Sequence, residues 1–103
     1  MPNADIVLEI AFNISDPGKT VIRTNAKKEA LDGILEAWLS CQIGQSKDKS
    51  KAEERGLYKI KIQMDLSDDS FYTSSDTGNK GLTCGIVMAV FKRLDQTQVL
   101  ALS

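Results

Sequence analysis

LYKIKIQMDL, residues Leu57–Leu66, alternates two kinds of side chain. Tyr58, Ile60, Ile62, Met64 and Leu66 are apolar, whereas Lys59, Lys61, Gln63 and Asp65 are charged or polar. A period of two marks a β-strand with one face buried and the other wet. The same pattern runs through Ile6, Leu8, Ile10, Phe12 and Ile14, with Glu9 and Asn13 on the opposite side. Two strands that each keep a polar face predict an antiparallel or mixed sheet covered on one side only, because parallel sheets buried on both faces read as unbroken apolar runs.

The segments around these strands supply the cover. SDPGK follows the first strand and suits a type II turn, with Pro17 fixing φ and Gly18 free to take φ > 0; TVIRT then returns as a short strand. From Thr24 or Asn25, either able to cap a first turn, good helix formers continue to Ile43, with Gly44 as a stop. At 100° per residue, Ala26, Ala30, Leu31, Ile34, Leu35, Ala37, Trp38 and Cys41 share an apolar arc, opposite Glu29, Asp32, Glu36 and Ser40. Trp38 is expected to be buried against the sheet.

Leu39 and Ile43 fall outside that arc and form with Leu35 a stripe at four-residue spacing, which one sheet could not cover. Leu35, Leu39 and Ile43 are therefore the candidate interface of a homo-oligomer, to be completed by a sheet edge or by VLALS at Val99–Ser103. Gln45–Arg55 mixes both signs of charge without a large apolar residue and reads as a mobile connection or a frayed solvated helix.

The stretch LSDDSFYTSSDTGNKGLTCG, Leu66–Gly85, reads as a long ordered loop in which Phe71 or Tyr72 anchors to the core and Ser75, Asp76 or Thr77 caps the next helix. It lacks both GxxxxGK[ST] and GxGxxG. Asp65, Asp69 and Asp76 partly echo the spacing of a calcium loop, but Ser70 stands where the sharp turn wants Gly, so they are weak cation candidates. Connections of this length are often functional, which makes 65–81 the alternative ligand or catalytic site. Residues 81–94 are β-branched yet place Leu82, Ile86, Val90 and Leu94 at four-residue spacing; they read as a helix, with a buried strand as the rival. VLALS closes the chain as a strand. The expected fold is a single α+β domain over 1–103, in the order β-β-α-β-α-β, with two helices on one face.

The 103 residues suffice for one core, burying roughly 65% of the unfolded surface. There is no histidine, which removes Ser-His and Cys-His nucleophiles and the usual zinc sites. Cys41 and Cys84 lie in no metal-ligand spacing and read as small buried apolar side chains. No pair of residues demands a catalytic contact and no cofactor is indicated. A net charge of -1 argues against sequence-independent nucleic-acid binding. No apolar run reaches the roughly 20 residues of a membrane span, and the N-terminal segment has no basic-then-apolar leader, which points to the cytoplasm. The functional expectation is a cytoplasmic interaction or regulatory module acting through protein contacts.

Overall fold

The computed structural model describes residues 5–43, 57–75 and 80–102. Strands β1 (Ile6–Asn13), β2 (Val21–Thr24), β3 (Leu57–Asp65), β4 (Ser70–Ser75) and β5 (Gln98–Ala101) form one mixed sheet in the order β4-β3-β1-β2-β5. Helices α1 (Leu31–Ile43) and α2 (Lys80–Lys92) cover one face of it. All pairings are antiparallel except that of β2 with β5. The α+β class, the mixed sheet and the helical nature of 80–92 are those the sequence predicts.

Alternation along the strands decides which face is covered. Leu8, Ile10, Phe12, Ile22, Ile60 and Ile62 point to the helices and join Leu31, Leu35, Trp38, Leu82, Ile86, Val87 and Val90 in one buried core. A one-residue slip in any strand would turn these side chains to water, so the apolar pattern itself pins the register.

Four local expectations are corrected. Pro17–Lys19 forms a 3-10 turn, with Thr20 N–H donating to Pro17 O at 3.0 Å, in place of a type II turn; Asn13 Oδ1 accepts from Asp16 N–H at 3.0 Å and draws the chain into it. α1 starts at Leu31, after a 3-10 turn at Lys28–Ala30, instead of near Ala26. Both candidate caps are used elsewhere: Thr24 Oγ1 accepts from Ala26 N–H at 2.9 Å, and Asn25 bonds to the start of β1.

The third correction is to the long loop. Its first part is a tight turn, Leu66–Asp69, followed by β4, which pairs with β3 from Ser70 opposite Asp65 to Ser75 opposite Ile60. SFYTSS escapes recognition because an edge strand needs only one neighbour and little apolar surface, while its Ser and Thr favour turns when read alone. Phe71 packs on the core and Tyr72 is exposed, so of the two candidate anchors Phe71 is the one used. The helix caps expected at Asp76 and Thr77, and the connection at Gln45–Arg55, lie outside the described residues.

The fourth concerns the face of α1. Ala30, Ala37 and Cys41 are exposed, and Leu39 is buried at 6% exposure. α2 lies against α1, so the buried arc of α1 turns from the sheet toward its neighbour helix. The second helix supplies the cover that the sheet could not.

Candidate functional site on the open sheet face

That packing removes the expected interface. Leu35 is 0% and Leu39 6% exposed within the single chain, which leaves them no surface to offer a partner; nothing is described of the Ile43 side chain. Cys41, expected inside, is on the surface, and Cys84 is buried.

Of the acidic candidates at 65–81, Asp65 and Asp69 serve the turn between β3 and β4. Asp65 Oδ1 accepts from the Ser67 backbone N–H at 2.9 Å and from its hydroxyl at 2.6 Å. Asp68 Oδ1 accepts the same pair of donors from Ser70, at 3.0 and 2.6 Å. Asp69 takes φ 59°, the left-handed conformation that Asp tolerates better than most residues, and its N–H donates to Asp65 O at 2.9 Å. The Ser67 hydroxyl, then its N–H, holds the Asp65 carboxyl below its ordinary 3.8. These carboxylates close the hairpin, and Asp76 lies outside the described residues. Among the described residues no group of three or more Asp, Glu or Cys side chains is placed to hold a metal ion.

The feature with the geometry of a binding surface is the uncovered face of the sheet. The strand register sets two rows of side chains across it. One runs Ser74–Lys61–Glu9–Arg23–Leu100, the other Lys59–Ala11–Val21–Gln98. Together they line a concave trough of about 780 Å³. Its floor is apolar at Ala11, Val21 and Leu100, the last 37% exposed.

Three cations, Arg23, Lys59 and Lys61, stand over this floor with one carboxylate, Glu9. Glu9 is the cross-strand neighbour of both Lys61 and Arg23. No ion pair within 4.0 Å forms there; among the described residues the ion pair recorded is Lys19 with Asp16, at 3.8 Å on another part of the surface. Neighbouring strands are about 4.8 Å apart, so Lys61 and Arg23, two strands apart, stand about 9.5 Å from each other, and Lys59 and Lys61 about 6.7 Å along β3. The result is a shallow apolar surface with positive charge at fixed spacing and solvent on its open side.

The alternation of β1 and β3 contains this face, since its residues are the ones left over when the core is assigned. What the alternation lacks is the side-by-side placement of β2 and β3 on either side of β1, which puts Arg23 and Lys61 on one row. Comparison with protein-family models, with curated protein sequences and with solved structures finds no match to this chain. Among the described residues no helix is long and apolar enough to cross a membrane.

Proposed function

We propose that the chain is a small cytoplasmic interaction module that works through protein contacts on the open face of its sheet, engaging an acidic, partly apolar partner surface. The observation that carries this reading is the set Arg23, Lys59 and Lys61, which stands over an apolar trough with Glu9 as its one opposing charge. Interfaces combine an apolar centre with charges that orient the partner, and the trough has both. An exposed Cys41 is in keeping with a reducing compartment.

Single-stranded nucleic acid is the other polyanion such a face could meet, but the chemistry favours a polypeptide. Stacking platforms use successive aromatic side chains, and the described part of this face carries Tyr72 at one end.

The test is binding of two probes to the purified chain: a synthetic amphipathic helical peptide with glutamates on one flank, and a thymidine oligonucleotide. Peptide binding that weakens at high salt and is lost in Arg23→Glu with Lys61→Glu supports the reading. Binding of the oligonucleotide in preference to the peptide, or a double variant that binds the peptide as well as the parent, overturns it.

A further inference from the structure

The trough on the open face is long across the sheet and narrow along it. Its lining side chains come from two neighbouring rows, and together these reach from Ser74 on β4 to Leu100 on β5. Five strands make four steps of about 4.8 Å, about 19 Å in all, whereas the two rows lie about 6.7 Å apart along each strand. An elongated occupant that fills the trough therefore crosses the strands.

Along that axis the charges alternate. Lys61, Glu9 and Arg23 are successive partners on β3, β1 and β2, so cation, anion and cation stand about 4.8 Å apart and about 9.6 Å from first to last. Leu100 follows one strand further on, about 14.4 Å from Lys61. Lys59 adds a second cation beside Lys61 on β3. On the other side the next row, Tyr72–Gln63–Val7, is uncharged, and the Asp5 carboxylate near it accepts from Gln63 Nε2 at 2.7 Å.

These steps fit an α-helix and not a strand. Residues i+3, i+7 and i+10 lie on the same side of a helix as residue i, displaced along it by about 4.5, 10.5 and 15 Å, each within about 1 Å of the row. The same-side residues of an extended chain fall about 6.7 and 13.4 Å from the first, so the second of them overshoots Arg23 by about 4 Å. The long side chains of Lys61, Glu9 and Arg23 absorb the smaller difference.

Resting on the reading of the open face as a protein-binding surface, we propose that its partner is a protein that lays one α-helix across β3, β1 and β2, with an acidic residue over Lys61, a basic residue over Glu9, an acidic residue over Arg23 and an apolar residue on Leu100. Glu9 is the residue that discriminates. A helix acidic at all three charged positions sets a carboxylate against Glu9, and like charges brought together across an interface reject a partner as unlike charges select one.

Calorimetric titration of the full chain at low salt with three synthetic helical peptides, identical outside the contact positions, measures this. The first carries Glu, Lys, Glu and Leu at i, i+3, i+7 and i+10; the second has Glu in place of that Lys; the third carries Lys, Glu, Lys and Leu. The parent is expected to bind the first at least about fivefold more tightly than the second, and the third not measurably. Glu9→Lys is expected to reverse the order of the first two, and the milder Glu9→Gln to narrow the difference. Lys61→Glu with Glu9→Lys and Arg23→Glu, at the parent's circular dichroism, is expected to exchange the first peptide for the third. A proline at the centre of the first peptide, which breaks its helix, is expected to abolish binding. A parent that binds the second or third peptide as tightly as the first, a Glu9→Lys chain that keeps the parent's preference, or a proline peptide that binds undiminished overturns the proposal. If the parent prefers the second peptide and loses it in Arg23→Glu with Lys61→Glu, the alternating helix falls and the open-face reading stands. If it binds none of the three, both fall.

Discussion

The indole Nε1–H of Trp38 donates to Thr73 Oγ1 at 3.0 Å, tying the middle of α1 to the edge strand β4. Trp38 is 1% exposed, and Thr73 occupies the helix-facing position opposite Ile62. A threonine on the covered face of an edge strand thus satisfies the one polar atom of the largest core side chain, as a buried indole requires.

Thr73→Val is expected to strand that N–H and to cost about 1–3 kcal/mol, and Trp38→Ala to cost about 3–5 kcal/mol through the cavity it leaves. Urea denaturation with tryptophan fluorescence checks the first, and circular dichroism the second. A Thr73→Val chain as stable as the parent would show that the bond contributes nothing net.

Asn25 extends the sheet with its side chain. Its Oδ1 accepts from Val7 N–H at 2.9 Å and its Nδ2 donates to Asp5 O at 2.7 Å, the paired contacts that a strand backbone would make. Asn25→Ala is expected to cost about 1–2 kcal/mol and to speed hydrogen exchange at the Val7 amide selectively. Unchanged exchange at Val7 would refute the role.

Thr20 is 1% exposed, and its Oγ1 has no hydrogen-bond partner among the described residues. Thr20→Val replaces that hydroxyl with a methyl group of nearly the same size. It should raise stability by about 1 kcal/mol, or about 4–8 °C in Tm for a domain of this length. A lower Tm would mean that the hydroxyl is satisfied in solution.

The turn predicts a pH effect. The folded-state pKa of Asp65 lies below its ordinary 3.8 because Ser67 donates to the charged form. A depressed carboxyl stabilises the fold above the unfolded value, and that contribution is lost as pH falls from about 4 through the folded value. Ser67→Ala should move the Asp65 titration, followed by carboxyl carbon chemical shift, back toward 3.8 and flatten this part of the stability profile. An Asp65 that titrates identically in both chains would contradict the cause assigned.

Alternation in Ile6–Ile14 and Leu57–Leu66, and the spacing of apolar residues in 31–43 and 82–94, was legible because each records which side of a local element meets the core. That information is carried residue by residue, so the sequence by itself determined the main strands, the first helix, the α+β class and the one-sided sheet, and left 81–94 between a helix and a buried strand. Strand β4 was not legible, since SFYTSS becomes a strand only because β3 offers it an unpaired edge and Trp38 offers Thr73 a donor. Nor was the burial of Leu39, which depends on α2 lying beside α1. The row Lys61–Glu9–Arg23 joins residues up to 52 positions apart through the pairing of β1 with both β2 and β3. Local patterns fix which face a side chain takes, whereas the identity of its neighbours on that face follows from strand order and helix packing, which only the tertiary structure decided.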